Sequence, residues 1–142
     1  MTSTVRFADV AVGTELPEAS FAVDRLTLVK YAGASGDFNT IHWNERIALE
    51  VGLPDVIAHG MLTMAEAIRV VTDWVGDPGA VIEYGVRFTR PVAVPDDDSG
   101  ATLAVSAKVT ELLEDSCVKV AITCKSQDQT VLGRAQAIVR LA

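Results

Sequence analysis

Apolar positions along the chain follow two periods that change once, near residue 76. From Ala58 to Val75 the polar residues Thr63, Glu66, Arg69 and Asp73 recur three or four apart. That spacing leaves one narrow polar stripe on a helix otherwise covered by Met61, Leu62, Met64, Ile68, Val71 and Trp74. Such a helix must be wrapped by other elements, and the three ionisable residues on its stripe argue against a membrane span. Gly76 supplies the stop. Beyond it the period becomes two. Ile82, Tyr84, Val86 and Phe88 alternate with Glu83, Gly85, Arg87 and Thr89 until Pro91. Leu103 to Val109, Val118 to Cys124 and Leu132 to Leu141 repeat the alternation, and short connections such as Gln127-Asp-Gln129 predict antiparallel neighbours. One apolar helix followed by four strands predicts an α+β fold over 1–142, a single domain in which an antiparallel sheet curls around the helix.

Ahead of the long helix the pattern is weaker. Residues 1–18 read as an extended lead-in and Phe21 to Val23 as a short strand. Asp24 is placed to cap a helix from about Arg25 to Ala32, and Asn44 to cap a shorter one through Val51, stopped by Gly52 and Pro54. Gly33 and Gly36 predict a broken, looped segment between these helices.

Composition narrows the classes. With 49% hydrophobic and 22% charged residues the chain carries no signature of disorder, and its net charge of −7 argues against nucleic acid as a partner. The first nine residues lack the basic start and apolar core of a signal peptide, and no long uncharged apolar run occurs, which predicts a cytoplasmic protein without membrane contact. Cys117 and Cys124 lie seven apart in one predicted strand, so they read as buried thiols rather than a bridge. Asp96-Asp-Asp98 before Ser99-Gly100 reads as a solvated turn.

The candidate chemistry sits in the looped segment. Asp37 and His42 are five residues apart with Asn39 between them. A carboxylate and an imidazole that reach one water can hold it, take its proton and return a proton elsewhere, which is what adding water across a polarised double bond requires. The same spacing also suits an Asx-turn followed by a surface histidine. Gly60, at the start of the long helix, offers an N–H without an intrahelical partner to an oxygen gaining negative charge, although a close-packed helix start also wants glycine there. His59 reads as structural or pocket-lining, since no HxxxH, HxH or CxxC spacing supports a metal site.

Tyr31, Ser35, Gly36, Asp37, Asn39, Ile41, His42 and Ala48 fall on positions of a known pattern: the segment resembles the hydratase-2 signature of the MaoC-like dehydratases. One position departs, with Thr40 where the family has proline. Ala58 to Met64, Thr72 to Ala80 and Tyr84 to Phe88 also resemble small actinobacterial members of that family. The resemblance implies a hot-dog fold and an (R)-specific hydro-lyase that interconverts trans-2-enoyl and (3R)-3-hydroxyacyl thioesters. It implies catalytic roles for Asp37 and His42, an oxyanion role for the Gly60 N–H, and substrate-binding or loop-orienting roles for Asn39 and His59. No cofactor and no metal are implied. The expected partners are an acyl-CoA or acyl-carrier-protein thioester and a second hot-dog subunit, identical or different. A non-catalytic acyl-binding subunit and a hot-dog thioesterase are the rivals. Lys30, Arg46, Arg87 and Arg90 are candidates for meeting the carrier.

Overall fold

A computed structural model describes residues 3–142; residues 1 and 2 of the expected lead-in lie outside it. After the lead-in come strand β1 (Ala19–Val23) and helix α1 (Arg25–Ser35), then α2 (Glu45–Glu50) and the long helix α3 (Gly60–Val75). Strands β2 (Val81–Phe88), β3 (Ala101–Leu112), β4 (Cys117–Ser126), β5 (Gln129–Thr130) and β6 (Leu132–Arg140) follow. They form one antiparallel sheet in the order β1-β3-β4-β6-β2, with β5 paired to β4. This is the α+β, hot-dog arrangement the sequence suggested.

The alternation explains the packing. Leu103, Val105, Ala107 and Val109 of β3, Val120 and Cys124 of β4, and Ala137 and Val139 of β6 are buried in one core with α3. From α3 come Leu62, Ala67, Val70, Val71 and Val75. Val71 and Val75 are fully enclosed, and each such side chain contributes roughly 1.5–3 kcal/mol by leaving water. Both cysteines are buried and unbridged, and the Asp97 carboxylate accepts the N–H groups of Ser99 and Gly100 in the expected turn. No helix among the described residues is long and apolar enough to cross a membrane.

Four local expectations are corrected. Helix α1 does not break near Ala32 but runs through Gly33 to Ser35, ending at Gly36 with φ 75° and its N–H on the Ala32 carbonyl. The capping of Thr27 N–H by Asp24 at 2.7 Å fixes the start, and one interior glycine costs only about 1 kcal/mol against alanine. Helix α3 begins at Gly60, not Ala58, because the N–H groups of Ile57 and Ala58 are taken by the carbonyls of Ile41 and Val92. The polar stripe of α3 is not all outward: Thr63 is buried, whereas Met61 is 59% exposed. The β4–β5 turn is Gln127–Asp128, both at positive φ, and Gln129 already belongs to β5.

Candidate functional site

The loop after α1 is held by a relay of short side chains. Ser35 Oγ accepts from the Asp37 N–H, Asp37 Oδ1 from the Asn39 N–H at 3.1 Å, and Asn39 Oδ1 from the Ile41 N–H at 3.3 Å. The Trp43 indole N–H closes the set by donating to the Phe38 carbonyl at 3.0 Å. Asn39 is thereby a loop-shaping residue with its side chain outside the cleft described below. Thr40 opens a 3₁₀ turn (Thr40–His42), its own N–H meets no acceptor among the described residues, and Asn39 before it is extended at ψ 127°. Those are the conditions a proline satisfies. Thr40→Pro therefore raises the stability by about 0.4–1 kcal/mol through the unfolded chain. A shift of the urea midpoint to higher concentration checks this, and a lower midpoint refutes it.

His42 is buried at the end of that turn, and its Nδ1–H donates to the Ile57 carbonyl at 2.7 Å. A carbonyl only accepts, so the bond fixes the tautomer and leaves the lone pair on Nε2. The acceptor is itself held: Ile57 bridges Ala93, and the Val94 N–H bonds the Val56 carbonyl. Arg25 ties the same segment to α1, reaching the Val94 carbonyl at 2.6 Å and Asp55 at 2.7 Å. Burial lowers the His42 pKa below its ordinary value; the Ile57 bond opposes this, neighbouring His59 adds to it, and Asp37 opposes it.

His59, the N-cap of α3, is 1% exposed and stacks on His42 with ring centroids 3.8 Å apart and planes at 24°. Tyr31 of α1 tilts against its other neighbourhood at 4.7 Å. Its Nε2–H donates to the Asp37 backbone carbonyl at 3.1 Å, so one imidazole braces both members of the expected pair. The cost is visible at Nδ1, a buried nitrogen with no hydrogen-bond partner, a loss of about 1–3 kcal/mol. One ligand-type atom each from Asp37, His42 and His59 lies within 4.8 Å of the others. Nearly parallel stacked rings send their lone pairs side by side rather than to one point, which suits tetrahedral metal coordination poorly. Two groups that share one water, through hydrogen bonds of about 2.8 Å meeting at a tetrahedral angle, stand roughly 4.6 Å apart, a span inside that 4.8 Å limit.

A cleft of about 330 Å³ opens beside the pair, lined by His42, Gly60, Thr63, Phe88, Arg90 and Leu132 among others. Its walls are mainly aliphatic and aromatic. The Gly60 N–H at the first turn of α3 has no protein acceptor among the described residues. Asp37 is exposed and stands outside these walls, as does His59. Of the four basic candidates only Arg90 lines the cleft; Arg46 pairs with Glu50, and Lys30 and Arg87 are exposed elsewhere. The sequence reading missed Trp43 as a loop clamp, Thr63 as a wall and Phe88 as a cover. The i, i+4 spacing of His59 and Thr63 was the available signal for the second.

Residues 6–127 match the family described as MaoC like domain. Over 79 residues the chain is 37% identical to the 3-hydroxyacyl-thioester dehydratase X of Mycobacterium tuberculosis, covering 56% of this chain and 27% of that protein. Over 138 residues it is 31% identical to the 3-hydroxybutyryl-CoA dehydratase of Methylorubrum extorquens, covering 95% and 83% respectively. A solved structure titled MaoC-like dehydratase superposes with a TM-score of 0.94 at 41% identity, covering 99% of this chain and 44% of the other. The chain thus spans less than half the length of the first and third of these proteins.

Proposed function

Because this chain belongs to the MaoC-like domain family, whose relatives hydrate and dehydrate acyl thioesters, we propose that it is an (R)-specific hydro-lyase interconverting trans-2-enoyl and (3R)-3-hydroxyacyl thioesters. One observation carries the reading: His42, whose Nε2 the Ile57 bond leaves free, clusters with the Asp37 carboxylate, their ligand-type atoms within 4.8 Å, beside a cleft that His42 and Gly60 both line. Water held there loses its proton to Nε2 as its oxygen bonds C3 of the enoyl group, and the pair returns a proton to C2. Negative charge gathers meanwhile on the thioester oxygen, against the Gly60 N–H at the positive end of α3. Asn39 and His59 act from behind, the one shaping the loop and the other bracing Asp37 and His42 together. The (3R) outcome is what the signature implies.

Strand β2 is a free edge of the sheet and carries Ile82 and Phe88 exposed to water. An open edge with apolar side chains favours pairing with another strand, which supports a second hot-dog subunit as partner.

The test is loss of enoyl absorbance on adding crotonyl-CoA, with chiral analysis of the 3-hydroxybutyryl product and sedimentation of the active species. Release of free thiol from a saturated acyl-CoA would instead indicate a thioesterase, and no turnover until a partner chain is added a non-catalytic or dependent subunit. The pH profile follows from His42. Since Nε2 works unprotonated and burial lowers its pKa, kcat/KM stays level through neutral pH and falls on the acid side only below the ordinary ~6.5. The sign for stability is the same: as pH drops through ~6.5 the unfolded chain binds a proton that the folded chain does not, so this stability is lost on acidification. An acid limb above that value would remove His42 as the base.

A further inference from the structure

The cleft does not end at its apolar walls. A second hollow of about 230 Å³ adjoins it and shares Arg90, Pro91 and Val131 with it. Its other lining residues differ in kind: Ser126, Gln127 and Gln129 bring a hydroxyl and two amides from the β4–β5 hairpin. We infer that this second hollow receives the pantetheine arm of the substrate and that Arg90 binds the phosphate at the end of that arm. The inference rests on the thioester reading above and assigns the two compartments to the two halves of the molecule. The acyl group needs no hydrogen bonds and suits walls of Phe88, Val92 and Leu132. The arm carries two amide groups and a hydroxyl, and amide and hydroxyl side chains satisfy such groups as they leave water.

Arg90 is set apart from the other paired cations. The chain carries net −7, and Arg6, Arg25, Arg46, Arg69 and Lys119 each pair with a carboxylate. Arg90 instead donates from Nη1 to the Gln129 side-chain oxygen at 3.0 Å. A neutral amide orients the guanidinium without cancelling its charge, and the remaining N–H donors stay available for a two-pronged bond to phosphate oxygens. Lys30, Arg87, Lys108, Lys125, Arg134 and Arg140 form no ion pair among the described residues either, but Arg90 is the cation that lines these two hollows, where its charge attracts an anionic substrate.

The experiment compares crotonyl-CoA, crotonyl-pantetheine and a crotonyl carrier protein on the wild type, Arg90→Ala and Arg90→Lys. Crotonyl-pantetheine has the arm but no phosphate. Arg90→Ala lowers kcat/KM for crotonyl-CoA by about 10- to 100-fold, chiefly through KM, as loss of a charged hydrogen bond does. The wild-type preference for crotonyl-CoA over crotonyl-pantetheine collapses in that variant, and Arg90→Lys keeps part of it. An equal loss with the carrier-protein ester agrees, since the same phosphate joins arm to protein, whereas a loss seen with CoA alone overturns the inference by placing the contact on the nucleotide phosphates. A fall of the same size with the phosphate-free ester, or a loss confined to the carrier-protein ester, overturns the inference. Titration with CoA itself, followed by calorimetry, decides the matter without turnover: weaker, less salt-sensitive binding in Arg90→Ala supports it and unchanged binding sinks it. A wild type that hydrates no crotonyl thioester but still binds CoA through Arg90 would defeat the proposed reaction and leave this subsite standing.

Discussion

His42→Gln and Asp37→Asn each lower the hydration rate of crotonyl-CoA by about 100- to 10,000-fold in kcat while leaving a folded protein. Glutamine fills most of the imidazole volume, and its amide N–H can donate to the Ile57 carbonyl in place of Nδ1–H. What it presents to the cleft is an amide oxygen, which accepts hydrogen bonds but does not take up a proton near neutral pH. Asparagine at 37 keeps an oxygen for the Asn39 N–H, so the loop retains its relay, and only the negative charge is lost. Unchanged near-ultraviolet circular dichroism and an unfolding midpoint close to wild type would separate this outcome from misfolding. A folded variant turning over within a few-fold of wild type would end the assignment. Because His59 stacks on one residue and hydrogen-bonds the other, the two substitutions are not independent. The double variant loses little more than the worse single one, as expected of groups that act as a unit.

What the sequence made legible was whatever local chemistry decides. The period of two in β2, β3, β4 and β6 and the apolar character of α3 follow from burying one side of a sheet against one helix, and no long-range knowledge is needed to see it. The caps at Asp24 and Asn44 were visible for the same reason, a short side chain accepting from an N–H three residues on. Gly33 was misread because a propensity cost of about 1 kcal/mol is small beside the packing of Leu28 and Ala32. Met61 and Thr63 exchanged their expected faces because the helix is covered by the sheet on one side only, and Thr63 forms part of the cleft wall while Met61 faces water.

The site was legible in its parts and not in its connections. The spacing from Asp37 to His42 put an acid and an imidazole in one loop. That the tautomer is set by the Ile57 carbonyl, fifteen residues on, depends on a bridge to Ala93 that no periodicity announces. His59 shows the limit most clearly. A histidine at a helix start reads as ordinary, and only its burial, its stacking and its unpartnered Nδ1 reveal that stability is given up at this point. Arg90 was one of four cations until the fold put it alone at the meeting of two hollows.

Gly60→Ala is expected to lower kcat by about 100-fold with little change in stability, because obstructing one preorganised donor to a developing oxyanion costs on the order of 100- to 1,000-fold. The added methyl group would meet the Phe88 ring at 3.1–3.2 Å, tighter than ordinary contact. Phe88 is 55% exposed and can yield by the few tenths of an ångström required, and alanine is the better helix former. The unfolding midpoint therefore stays near wild type. The rate does not, since a methyl group between α3 and Phe88 narrows the approach to the Gly60 N–H, and a yielding Phe88 shifts another wall of the cleft. Two causes are then mixed, and a second variant separates them. Gly60→Ala with Phe88→Ala removes the steric conflict but leaves the methyl group beside the N–H. If the donor matters, the double variant remains about as slow as Gly60→Ala, and Phe88→Ala alone is affected mainly in KM. Recovery of the double variant to the rate of Phe88→Ala would mean that the displaced ring, not the obstructed N–H, caused the loss, and the oxyanion role of Gly60 would fall.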